Sequence, residues 1–127
     1  MNIKFNYMYR DASNYKAWGN VIFINPDELT LLEINTHLIN SFGMDRLFIA
    51  SQIRIPEVFL YLDDDVTIDD HCFHEFTSVK FTSETENDKY GRSINEFIKE
   101  VENQSKIGWL SFDPTEPWIG IRFCNVT

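Results

Sequence analysis

Ile3-Lys4-Phe5-Asn6-Tyr7-Met8-Tyr9-Arg10 sets Ile3, Phe5, Tyr7 and Tyr9 at alternate positions against Lys4, Asn6, Met8 and Arg10. Successive side chains of a strand point to opposite faces, so this period of two marks a half-buried strand. Downstream, the loop Asp11 to Lys16 leads through Trp18-Gly19-Asn20 into Val21-Ile22-Phe23-Ile24. That run is apolar on both faces, the pattern of a central strand, and Asn25-Pro26-Asp27 ends it.

The period then changes. Thr30 followed three residues later by Glu33 reads as a capping box, and Leu31, Ile34, Leu38 and Phe42 recur at helical spacing, with Leu32 and Ile39 widening the stripe and Gly43 as the stop. A third apolar stretch, Leu47-Phe48-Ile49-Ala50, runs on to Pro56, and Val58 to Leu62 reads as the next strand. The acidic turn Asp63 to Asp70 predicts a hairpin joining that strand to a long one over His71 to Phe81. After a polar loop, Ser83 to Arg92, a second capping box (Ser93, Glu96) opens a helix that buries Ile94, Phe97, Ile98 and Val101 and ends near Gly108. In the tail, Trp118 to Phe123 alternates weakly, as a short extra strand would. The order β-β-α-β-β-α predicts an α+β fold: one domain over residues 1–127, an antiparallel sheet of four to five strands covered by two helices.

Composition narrows the function classes. With 127 residues and 43% hydrophobic content the chain is long and apolar enough to bury a core unaided, and its 15% aromatic share leaves rings for stacking or for an oligomer interface. A formal charge of −9, from 11 Lys plus Arg against 20 acids, argues against duplex nucleic acid as a partner. A small phosphorylated ligand needs only a few convergent cations. Two cysteines make no disulfide framework, the start has no apolar leader, and no run is long enough to span a bilayer, so a reduced, cytoplasmic protein without a membrane partner is expected.

Several constellations could carry chemistry. His71, Cys72 and His74 are zinc-ligand types, but strand alternation parts His71 from the other two, and satisfied strand histidines are the simpler reading. The acidic turn offers Asp63, Asp65, Thr67 and Asp69 at the spacing of a calcium loop, yet Ile68 stands where that loop needs glycine and His74 where it needs glutamate. No metal and no cofactor is expected. A small nucleotide-processing enzyme would have to use His71, His74 and Glu75, without an evident orienting group; an acidic protein–protein inhibitor is a further alternative. The glycines occur singly, so phosphate would have to be met by side chains. Arg10, Lys16, Arg54, Arg92 and Arg122 lie beside aromatics or polar loop residues, the composition of a nucleotide site with cation clamps and a stacking ring.

Phe5-Asn6-Tyr7-Met8-Tyr9-Arg10-Asp11-Ala12-Ser13-Asn14-Tyr15-Lys16, with Asn25-Pro26 and the later Asp70-His71-Cys72-Phe73-His74-Glu75-Phe76, resembles a family of small phage and bacterial proteins that includes the Thoeris anti-defence sponges of the first type. The likeness runs from residue 3 to about residue 100 and fades in the tail after Gly108. It implies a protein without catalytic residues that captures the cyclic ADP-ribose isomer made by bacterial TIR-domain enzymes and so starves the immune effector. Some members are described as also holding cyclic oligonucleotides, and the family forms dimers and higher oligomers with pockets at subunit contacts. For such a ligand we assign Phe76 as the stacking ring and Arg54, Arg92 and Arg122 as phosphate clamps. Asn87 or Asp88 would supply polar edges, and Arg10 with the loop to Lys16 is the next place to look.

Overall fold

A computed structural model of the chain describes residues 1–62 and 65–115. The fold is α+β: a curled, four-stranded antiparallel sheet with two helices packed on one face. Strands β1 (Asn2–Arg10), β2 (Lys16–Phe23), β3 (Leu47–Phe48) and β4 (His74–Thr82) stand in the order β2-β1-β4-β3, with α1 (Leu31–Ser41) after β2 and α2 (Ile94–Ile107) after β4.

The opening alternation is the centre of the sheet. β1 pairs with β2 on one side and β4 on the other, and Ile3, Phe5, Tyr7 and Tyr9 are all fully buried. Phe5 stacks on Phe76 with 5.4 Å between centroids, meets Phe97 edge-on at 5.1 Å, and lies near Phe42 and Phe48. β4 would put Ser78 into this core if its alternation ran unbroken. A register shift between Asn6 and Tyr7 leaves Thr77 unpaired, and this β-bulge turns Val79 inward instead.

Both helix starts form at the expected residues. Ser93 and Glu96 make the full reciprocal capping box, whereas Thr30 accepts the Glu33 N–H and donates its hydroxyl to the Glu33 carboxylate.

Three expectations for the strands are corrected. β2 is an edge strand: Ile22 is buried, and its outward backbone N–H and carbonyl bond to Asn87 in the loop that precedes α2, not to another strand. Val58 to Leu62 is not a strand: residues 60–62 form a 3-10 turn, and the Val58 N–H donates to His74 Nε2 at 2.9 Å, which takes it out of any ladder. β4 therefore pairs with β1 and with the two residues of β3, not with Val58–Leu62, and it begins at His74, not His71. The Trp118–Phe123 strand lies outside the described residues, as do Asp63 and Asp64 of the acidic turn.

Gly19 sets how closely the segment around Pro56 lies on the sheet. A Cβ there would stand 2.8 Å from Tyr7 Cζ and 3.0 Å from Val58 Cγ1. Neither neighbour can yield easily, because the Tyr7 hydroxyl donates to the Pro56 carbonyl at 2.6 Å and Val58 is tied to His74. Gly19→Ala is expected to cost about 1–3 kcal/mol by overpacking, read as a lower denaturant midpoint. An unchanged midpoint would mean that the segment shifts freely.

Candidate binding cleft

Between the open end of β2 and two loops lies a cleft of about 350 Å³. Asn20 and Val21 form one wall, the segment Arg54-Ile55-Pro56-Glu57 a second, and Asn87-Asp88-Lys89-Tyr90 a third.

The 87–90 wall is held by substitutes for secondary structure. Asn87 acts as a one-residue strand: its backbone N–H donates to the Ile22 carbonyl at 3.0 Å, and its Oδ1 accepts the Ile22 N–H at 2.8 Å. Asp88, only 4% exposed, accepts from Arg92 at three points: the backbone N–H, Nε and Nη2. Arg92 reaches across to the second wall, donating from Nη1 to the Ile53 carbonyl and from Nη2 to the Arg54 carbonyl, and Nη1 also meets Glu100 of α2 at 2.9 Å. Arg54, in the left-handed region at φ 55°, gives Glu100 a bidentate pair at 2.7 Å on both arms. Burial pushes the Asp88 and Glu100 carboxyls up, but the hydrogen bonds and charge of their arginines outweigh it and hold both below their ordinary values. The network fixes both loops against α2.

What the cleft presents to a ligand follows from what the network leaves over. The Tyr90 ring lies at its rim with the Arg54 guanidinium 4.4 Å from its centroid and Lys89 Nζ at 5.5 Å. Arg54 commits Nε and Nη2 to Glu100, while Nη1 donates to no protein group among the described residues. Lys89 and Asn20 are exposed, and Val21, Ile55 and Pro56 supply apolar floor. The site thus offers an aromatic face, two cations and amide groups, with carboxylates of Glu57 and Asp88 beside them.

Of the residues read from the sequence, Arg54, Asn87 and Asp88 meet in this cleft. Arg92 lies directly behind it, but it is 6% exposed in its side chain and its N–H donors are committed to protein acceptors, so it braces the site and has no donor for phosphate. Phe76 is not a ligand ring: it faces the helices, is 2% exposed and is stacked on Phe5. Arg10 is paired with Glu75 at 3.1 Å and with Asn14 at 2.8 Å, away from the cleft lining, and the loop after it is docked on Asp69 through Ala12 and Ser13. Arg122 lies outside the described residues. Tyr90, Lys89, Asn20 and Glu57 were missed. Tyr90 carried a readable signal, being the aromatic ring inside the same polar loop as Asn87 and Asp88.

His71, His74 and Glu75 do not converge. Glu75 points to the other face of β4 from His74, and His71 Nε2 lies 2.6 Å from the Arg10 carbonyl. The Cys72 thiol accepts the Phe112 N–H, and among the described residues no cluster of three such side chains is placed to hold a metal. A second hollow, walled by Asp11, Asp65 and Asp70 with Tyr15 and Tyr61, shows carboxylates and no cation among its described lining.

Comparison with protein-family models, with curated proteins and with solved structures gives no match. No helix among the described residues is long and apolar enough to cross a membrane. The functional reading therefore rests on the chemistry of the cleft and on the motif resemblance.

Proposed function

We propose that this protein binds a nucleotide-type signal, a cyclic ADP-ribose isomer by the resemblance above, and withholds it from its effector without cleaving it. It acts in the cytoplasm of an infected bacterium, works as a homo-oligomer, and takes cyclic oligonucleotides as further ligands. The observation that carries it is the meeting of Tyr90, Arg54, Lys89 and Asn20 around one cleft. An adenine can stack on the Tyr90 ring, phosphate oxygens can take Arg54 Nη1 and Lys89 Nζ, and ribose hydroxyls can pair with Asn20. Sequestering a scarce signal needs roughly nanomolar affinity, about 12 kcal/mol. A cleft of about 350 Å³ is at the small end for ligand sites, so a ligand of this size extends past the walls of one chain.

Calorimetric titration with the cyclic ADP-ribose isomer tests this. Tyr90→Ala and Lys89→Ala are each expected to weaken binding roughly ten- to a hundredfold, since stacking of a base on an aromatic ring contributes about 1–3 kcal/mol and a charge-assisted hydrogen bond about 1.5–3 kcal/mol, and Phe76→Leu should leave affinity unchanged. The ligand recovered after denaturing the complex should be intact. Absence of heat with the wild-type protein, or equal affinity in both cleft variants, would sink the assignment; recovery of a cleaved product would make the protein an enzyme.

A further inference from the structure

The second wall of the cleft has no secondary structure of its own to hold it. Residues 54–58 belong to no helix or strand, and Pro56 has no N–H to give to a ladder. At its start the wall hangs on Arg92, which donates to the Ile53 and Arg54 carbonyls, and on the Ile55 N–H, which donates to the Ala50 carbonyl. At its end it hangs on the sheet. The Tyr7 hydroxyl of β1 donates to the Pro56 carbonyl at 2.6 Å, and the Val58 N–H donates to His74 Nε2 of β4 at 2.9 Å. These two bonds grip the backbone on either side of Glu57, which lines the cleft.

The polar atoms stand where the covering of the sheet changes. Under the helices the inward residues are apolar: Phe5 meets Phe97 of α2, and Phe76 meets Phe42 at the end of α1. Under residues 56–59 they are Tyr7, Tyr9 and His74. Tyr7 and His74 are fully buried with their rings 6.0 Å apart, and burial keeps both neutral by raising the tyrosine pKa and lowering that of the histidine. Apolar contact is non-directional and would let the segment settle at several heights on the sheet. A buried hydroxyl and a buried ring nitrogen cost free energy unless each meets its partner, so this pair admits one height.

We propose, on the binding role given above, that Tyr7 and His74 are positioning residues for the cleft: they set its second wall at the distance from Asn20 and Val21 at which a nucleotide fits. Neither belongs to the described lining, so both act through the backbone that they hold. Gly19, the residue before the first wall, lets the segment approach this closely. A wall released at one end spends only part of its time in the binding position, and apparent affinity falls by that fraction.

Two measurements on the full-length chain test this. In hydrogen exchange without ligand, Tyr7→Phe should speed the Val58 amide, whose own acceptor is untouched, and leave the Asn87 amide of the third wall as slow as in the wild type. In calorimetric titration with the cyclic ADP-ribose isomer, Tyr7→Phe and His74→Leu should each weaken binding roughly tenfold. His74→Gln, which keeps an acceptor for Val58, should restore most of that affinity, and Phe76→Leu, a core change on the same sheet face, should leave it unchanged. If His74→Leu fails to fold, Tyr7→Phe, which removes a single oxygen, carries the test. An unchanged Val58 amide in Tyr7→Phe, faster exchange at Val58 and Asn87 alike, wild-type affinity in Tyr7→Phe, or equal loss in His74→Gln and His74→Leu would each overturn the proposal. Exchange is read without ligand, so a wild type that binds no nucleotide refutes the cleft assignment while the exchange pattern still decides whether the two side chains set the wall. A nucleotide bound equally well by the wild type and Tyr7→Phe refutes the positioning role alone.

Discussion

Arg92→Met should lower folding stability by about 3–5 kcal/mol, although it removes no hydrophobic contact of consequence. The side chain is 6% exposed and donates to Asp88, Glu100 and the carbonyls of Ile53 and Arg54. Its removal leaves the Asp88 carboxylate, 4% exposed, without its counter-ion and two carbonyls without their donors. Methionine fills much of the volume, so the loss reports on charge and hydrogen bonding and not on a cavity. The effect should appear as a lower denaturant midpoint at nearly constant slope. A loss below about 1 kcal/mol would mean that the network behaves as a surface ion pair. Because Arg92 joins both loop walls, ligand affinity should fall with it even where the protein remains folded.

The second large effect is with pH and centres on His74. This histidine is fully buried, accepts the Val58 N–H at Nε2 and therefore carries its proton on Nδ1, which has no hydrogen-bond partner among the described residues. Burial, and secondarily the charge of His71, pushes its pKa down from 6.5 to about 3. The unfolded chain takes up a proton below pH 6.5 and the folded one does not, so the unfolded state binds more protons and stability falls as pH falls. The loss from this residue alone steepens as pH falls below 6.5 and approaches about 1.4 kcal/mol per pH unit once the unfolded histidine is fully protonated. Asp88 and Glu100, held below their ordinary values, add their loss only at lower pH, once the carboxylates themselves are forced to protonate. Chemical denaturation between pH 7 and pH 5 should thus show falling stability in the wild type and a flatter profile in His74→Gln, which keeps an acceptor for Val58 but does not titrate. Parallel profiles in the two proteins would locate the acid sensitivity elsewhere.

Local pattern alone determined much of this protein. The alternation of Ile3, Phe5, Tyr7 and Tyr9 named the buried face of the central strand, and Thr30 and Ser93 named both helix starts, because strand facing and helix capping depend on residues only a few positions apart. The loop Asn87 to Arg92 was legible as polar, and Arg54, Asn87 and Asp88 come together in the lining of one cleft. Tertiary structure decided the rest. Val21 to Ile24 reads as a central strand because its residues are apolar on both faces, yet a sequence pattern cannot tell whether a neighbouring strand or a loop such as 87–94 does the covering. Val58 to Leu62 has strand composition, but its first N–H is taken by His74, sixteen residues away along the chain. Phe76 and Tyr90 are both aromatic beside polar neighbours. Packing against Phe5 buries one, and the Asn87 tether to β2 holds the other at the cleft rim. Arg54 and Arg92 are alike in sequence, and the positions of Asp88, Glu100 and the Ile53 and Arg54 carbonyls leave one with a donor unused among the described residues and the other with none, because pairing over long chain separations is a property of the fold.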